Sequence, residues 1–226
     1  MIDLCAYLHS KQGVDLLIED MHRHKISKRA VSIYSNELIN DIVFEYEDKL
    51  LACALVNPKE EGAVQNLMDI ADKIKMIELN SYLHAYYPDA LTGVVDILNI
   101  AKEQNLPIKI YSGQGNFAMP QQYLAHIKNF PSVKFIFLHM GLFDYGYGCV
   151  ELAREFANVY LETSNQFEMQ ILRKALSLDL KEKLLFGSSY PNCFTKCSIE
   201  IFDMFKLDTD YKEHIFYKNA NILLGL

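Results

Sequence analysis

Phe130-Pro131-Ser132-Val133-Lys134-Phe135-Ile136-Phe137-Leu138-His139-Met140-Gly141 decides the fold. Proline stands just before a β-branched and aromatic run, where an element boundary tolerates it, and the run ends on a polar residue and a glycine. That is a short, fully buried strand with a chemically useful side chain at its C-terminal tip. Working outward, similar runs recur at 2–8, 30–34, 50–56, 74–79, 107–111, 158–163 and 183–187, which with 133–138 makes eight. Between them lie stretches with helical periodicity at 14–24, 37–47, 60–72, 90–104, 120–129, 147–156, 166–178 and 196–205, and a last one at 209–223. Strict alternation of strand and helix calls for parallel strands joined by right-handed crossovers. Eight units predict a compact closed (β/α)8 barrel, the TIM barrel, as a single domain over residues 1–226. An open doubly wound sheet would carry a glycine-rich phosphate turn after its first strand, and Leu8-His9-Ser10-Lys11-Gln12-Gly13 is not one.

Composition narrows the function. The formal net charge of -7 gives no basic footprint for nucleic acid. The start, Met1-Ile2-Asp3-Leu4, lacks a basic region with an apolar stretch behind it, and no apolar run approaches a membrane span, so a cytoplasmic protein is expected. The 5 cysteines are scattered as in a reducing compartment, and Cys193 and Cys197, four apart without matching partners, read as packing.

Active sites of barrels lie at the C-terminal ends of the strands. Alternation along the first strand places Ile2, Leu4, Ala6 and Leu8 outward and Asp3, Cys5, Tyr7 and His9 inward. Two long loops are expected on the same face, Ser112 to Asn116 and Gly141 to Gly148. The second carries Phe143-Asp144-Tyr145-Gly146-Tyr147-Gly148, readable as an aromatic clamp on a ligand or as a glycine-jointed lid on the rim.

Four phrases in order carry a resemblance: the 130–141 segment, Asn158-Val159-Tyr160-Leu161-Glu162-Thr163-Ser164, Phe186-Gly187-Ser188-Ser189-Tyr190-Pro191, and Asn219-Ala220-Asn221-Ile222-Leu223-Leu224-Gly225-Leu226. Together they resemble the amidohydrolase-related family of metal-dependent hydrolases and decarboxylases, strongly from about Leu106 onward and more weakly, though in register, from Ile2 to Tyr87. The resemblance implies hydrolysis or nonoxidative decarboxylation of small, often carboxylate-bearing molecules, a small-molecule partner, and a homodimer by analogy. It also implies five metal-ligand positions. Here these hold Cys5, Tyr7, Tyr111, His139 and Ser189, so that only His139 keeps a family ligand. A catalytic zinc needs about three protein ligands, and neutral phenol and hydroxyl groups are poor ones.

The expectation is therefore a divergent, pseudoenzyme-like barrel that binds a small molecule or catalyses without metal, with no cofactor. His139 is its candidate catalytic group, and Tyr7, Glu78, Tyr111, Ser189 and Tyr190 are its candidate ligand-binding groups. Whether it is an enzyme at all stays open at this level. One alternative is a metal-dependent hydrolase or decarboxylase with an altered site around His139, drawing on Cys5 or Glu78; another is a partner-binding scaffold. Against a ligating Glu78 stands Lys109, which alternation also points into the barrel and which would pair with it. His9 and His84 could approach the same mouth, although loop histidines are ordinarily solvated.

Overall fold

The computed structural model describes residues 1–166 and 169–226. Eight parallel strands follow one another around the sheet in chain order: β1 Ile2–Tyr7, β2 Lys28–Ile33, β3 Leu50–Val56, β4 Met76–Leu79, β5 Ile108–Ile110, β6 Phe135–Phe137, β7 Val159–Glu162 and β8 Leu184–Leu185. The ring closes through backbone bonds between the first and last segments, with Leu4 N donating to Phe186 O at 2.9 Å and Tyr7 N donating to Tyr190 O at 2.8 Å. The predicted TIM barrel is thus the observed fold. Helices α1 Val14–His24, α2 Asn36–Tyr46, α3 Ala63–Met68, α4 Thr92–Glu103, α5 Leu124–Asn129, α6 Leu142–Glu155, α7 Met169–Ser177, α8 Thr195–Glu200, α9 Thr209–Glu213 and α10 Asn219–Leu224 accompany them. A π-helical turn, His214–Lys218, joins the last two. None of the described helices is long and apolar enough to cross a membrane.

Local chemistry sets several boundaries. Ser35 caps α2 by accepting from Leu38 N, and Asp208 caps α9 by accepting from Tyr211 N. The helix expected over 166–178 is seen from Met169, and positions 167 and 168 lie outside the described residues. One prediction fails outright. Gly141 to Gly148 is not a loop, because α6 starts at Leu142. Its glycines mark close helix packing instead: a Cβ on Gly146 would sit 2.6 Å from Ile171 of α7, and one on Gly148 would sit 2.6 Å from Gln121. Glycine read as loop punctuation was here a helix contact point, and the aromatic lid is the first turns of a helix.

The core divides into two layers. Outward-facing residues such as Val31, Ala52, Ile77, Ile108, Phe135, Leu161 and Phe186 pack against the helices. A smaller cluster of Ile2, Leu4, Ala30, Leu51, Cys53, Met76, Ile136 and Leu185 fills the barrel, with Ala220 and Leu223 of α10 packed against it. Simple alternation along β1 is therefore wrong for its first half. Ile2 and Leu4 belong to the inner cluster, whereas Asp3 lies in the helix layer with Arg29 of β2, at 2.8 Å. The β1–β2 register shifts between Asp3 and Ala6, a bulge that inserts one extra residue. Beyond it Ala6 and Leu8 face the helices and Cys5 faces the interior, as expected. A bulge thus gives one strand an apolar plug below and a reactive group above.

Candidate active site

Above the apolar plug sits a buried ion pair. Lys109 Nζ lies 3.1 Å from Glu78 Oε2, both side chains are fully buried, and the Ser32 hydroxyl bridges them by accepting from Lys109 and donating to Glu78. The pairing expected from alternation is therefore present. Glu78, expected among the ligand-binding groups, is fully buried in this pair.

The next layer up gathers three titratable side chains. Cys5, His139 and Glu162 are all buried, and one potential ligand atom from each lies within 4.8 Å of the others. The end of β6 turns sharply to place the histidine: His139 and Met140 adopt left-handed conformations, with φ of 58° and 50°. Such backbone persists only where surroundings hold it. Here His139 N donates to Glu162 Oε2 at 3.0 Å, and Gln166 Nε2 donates to His139 O at 2.7 Å. Glu162 also accepts from Ser164 N at 2.6 Å and from the Ser164 hydroxyl at 2.9 Å. Because that hydroxyl spends its single proton on Glu162, it can only accept from His139 Nδ1, 2.7 Å away. The imidazole is thus assigned as the Nδ1–H tautomer, which leaves its Nε2 lone pair free.

Close approach explains a familiar glycine. A Cβ on Gly187 would lie 1.9 Å from Glu162 Oε1 and 2.9 Å from the Cβ of Cys5. Only glycine lets the carboxylate lie against the 186–191 segment. On the other side of that segment the Asp3 carboxylate accepts from Cys5 N and Ser188 N, each at 3.0 Å, and from the Ser188 hydroxyl at 2.6 Å. Ser189 N donates to Cys5 O at 2.7 Å. Cys5 is therefore gripped through its backbone from both directions.

Burial dominates the electrostatics. It pushes the Glu162 carboxyl up to about 7 against the hydrogen bonds it accepts, and with help from Lys109 it holds His139 down at about 4. Burial, and next the Glu162 charge, raise the Cys5 thiol well above its ordinary value. At neutral pH the isolated centre holds a neutral imidazole, a protonated thiol and a carboxyl near its midpoint. Among the described residues, the only cationic type within ion-pair distance of Glu162 is His139 itself, at 3.7 Å.

The remaining predicted residues divide. Tyr7 hydroxyl is 3.9 Å from Cys5 Sγ, and the half-buried Tyr111 ring meets His139 edge-on at 5.6 Å while stacking on Tyr82 at 5.8 Å. Ser189 is nearly buried beside Cys5. Tyr190 does not join them: its ring covers the Arg29 guanidinium at 5.1 Å and lines a surface cavity of about 380 Å³ with Leu16 and Phe194. His9 is exposed, and the His84 ring lies tilted against Tyr34 at 6.1 Å. Sequence reasoning missed Glu162, although a carboxylate at an inward position of an apolar strand was a usable signal.

The chain belongs to the amidohydrolase family, whose model matches residues 12–226. No curated protein matches it. Among solved structures it is similar to an uncharacterized TIM-barrel protein from Bordetella bronchiseptica, with a TM-score of 0.80 at 16% identity, covering 100% of this chain and 99% of that one. It is also similar to a probable 2-pyrone-4,6-dicarboxylic acid hydrolase from Acinetobacter baumannii, at TM-score 0.78 and 17% identity over 100% and 99% of the chains. A third is 2,6-dihydroxybenzoate decarboxylase from Rhizobium, at 0.75 and 13% over 99% and 98%. At these identities the structures show a shared fold.

The family implies a bound metal, and the residues present pass a test of fit. The three converging donors are a thiol, an imidazole and a carboxylate, all ordinary ligands of a divalent ion. A carboxylate offers about four acceptor positions, and three on Glu162 are filled, so one remains. A buried carboxylate with no cation but a neutral imidazole beside it is where a cation is most strongly favoured.

Proposed function

We propose that this protein is a hydrolase or decarboxylase of small carboxylate-bearing molecules whose reaction centre has been rebuilt on Cys5, His139 and Glu162. The convergence of these three buried donors within 4.8 Å supports the reading. Cys5, His139 and Glu162 would hold a divalent ion, which supplies Lewis-acid polarisation of a substrate oxygen or an activated water. Ser164 fixes the imidazole by accepting from its Nδ1 while donating to Glu162, which orients the ring. Tyr7 and Tyr111, phenols protonated at neutral pH and raised further by burial, offer hydroxyl donors to an oxygen-rich substrate at the rim. The two enzymes named above, a probable dicarboxylic acid hydrolase and a hydroxybenzoate decarboxylase, agree with that substrate class.

Turnover of a panel of small aromatic and aliphatic carboxylates, with and without chelator, tests the reading. Activity that disappears on chelation, and in His139→Ala and Glu162→Gln, is expected; activity indifferent to all three would sink it. A second reading is the metal-free binder, favoured by the Tyr7 hydroxyl beside Cys5 and the Tyr111 edge on His139. That reading predicts carboxylate binding by calorimetry that chelation leaves unchanged.

A further inference from the structure

We propose that the centre is a thiolate site that takes a borderline-soft divalent ion, zinc or cobalt, and rejects the hard ions manganese and magnesium. This rests on the reading of the centre given above and assigns its metal class. Three features carry it. First, the sulfur is built in: Cys5 is turned inward by the bulge between Asp3 and Ala6, with its N held by Asp3 at 3.0 Å and its O by Ser189 N at 2.7 Å. A ligand anchored at both backbone atoms is part of the cavity rather than a passing neighbour.

Second, the donor set sorts metals by softness. Thiolate and imidazole suit zinc and cobalt, whereas carboxylate, carbonyl and water oxygens suit manganese and magnesium. Here one carboxylate faces one sulfur and one imidazole nitrogen. The other groups at the rim, Ser189, Tyr7 and Tyr111, are neutral hydroxyls, so an oxygen-seeking ion finds one anionic oxygen ligand in the cluster.

Third, charge and size match. One thiolate and one carboxylate neutralise a dication, leaving no net charge in a fully buried place. On binding, the Cys5 S–H bond breaks, its electron pair goes to the metal and its proton leaves to solvent. Zinc holds sulfur at about 2.3 Å and nitrogen or oxygen at about 2.0 Å, so donors of a tetrahedral site stand roughly 3 to 4 Å apart. The observed donors lie within 4.8 Å of one another, close to that spacing.

Metal-free full-length protein titrated separately with cobalt, zinc, manganese and magnesium tests this, read by near-ultraviolet spectroscopy and by metal analysis after gel filtration. The expected result is one equivalent of cobalt with a sulfur-to-cobalt charge-transfer band, loss of the band when zinc displaces cobalt, and no retention of manganese or magnesium. Cys5→Ser should lose the band and weaken zinc by roughly a hundredfold. Cys5→His should retain cobalt without the band, and circular dichroism checks that both variants fold. Cobalt bound to the wild type without the band, or manganese held as tightly as zinc, overturns the thiolate assignment while sparing the metal-dependent reading. Retention of none of the four ions overturns both.

Discussion

Two buried carboxylates lie on opposite sides of the same barrel wall, and they are treated in opposite ways. Asp3, outside, accepts from Cys5 N, Ser188 N, the Ser188 hydroxyl and Arg29 Nε. Arg29 in turn pairs with Asp20 at 2.7 Å, and Thr195 donates to Asp20 at 2.6 Å. Glu162, inside, is equally buried but accepts from two backbone N–H groups and one hydroxyl, with a neutral imidazole 3.7 Å away. The carboxylate that has a permanent cation holds the strands together. The one without is available to chemistry. The bulge in β1 puts Asp3 and Cys5 on opposite faces of the wall: Asp3 fixes the Cys5 backbone from outside, and Glu162 lies within 4.8 Å of its sulfur inside.

The largest effect that would break this contrast is expected at Asp3. Asp3→Ala leaves the Arg29 guanidinium buried with one carboxylate fewer and frees three other donors, which should cost about 3 to 5 kcal/mol. Urea denaturation would show it, and a loss near zero would mean that Asp3 is no more structural than Glu162. Next comes pH dependence of the metal-free protein. His139 is held at about 4 against an ordinary 6.5, so it removes stability as pH falls from 6.5 to 4. Glu162 is held at about 7 against 4.5, so it removes stability as pH rises from 4.5 to 7. In the wild type the two slopes nearly cancel. Glu162→Gln should unmask the histidine, with stability climbing by about 3 kcal/mol from pH 4 to 6.5. A flat profile in that variant would show that the imidazole is not held neutral by its surroundings.

Smaller again, Gly187→Ala should cost about 1 to 3 kcal/mol, because its Cβ meets Glu162 Oε1 and something must move. Zinc retention should fall with it, since the carboxylate is what moves; unchanged zinc binding in a destabilised variant would separate Glu162 from the centre. At the bottom of the scale, Tyr190→Phe removes an exposed hydroxyl 3.5 Å from Leu16 O and should change both stability and substrate binding little, within about 0.5 kcal/mol by calorimetry. A substantial loss of binding would return Tyr190 to the site.

Legibility differed between the two sides of the wall. His139 could be placed from its position after an apolar run, and the Glu78 and Lys109 pair from alternation. Asp3 could not, because one extra residue in a strand is invisible in a two-residue pattern and flips every side chain before it. The α6 glycines misled for a related reason: Gly146 and Gly148 signal close approach, and sequence does not say whether a turn or a neighbouring helix is what approaches. Glu162 was visible as an inward carboxylate, but its meaning depended on finding Cys5 and His139 across the barrel.

Taken alone, the sequence determined the barrel, since eight apolar runs separated by helical periodicity have one economical way to bury their backbones and side chains. Its resemblance to the family added an expectation, that Cys5, Tyr7, Tyr111 and Ser189 stand where the family carries metal ligands. Tertiary structure decided which side chains meet. Strands 1, 6 and 7 are distant in the chain, and only closure of the ring brings a thiol, an imidazole and a carboxylate together. Burial then sets their protonation, because the cost of charge in a closed interior depends on every neighbour at once.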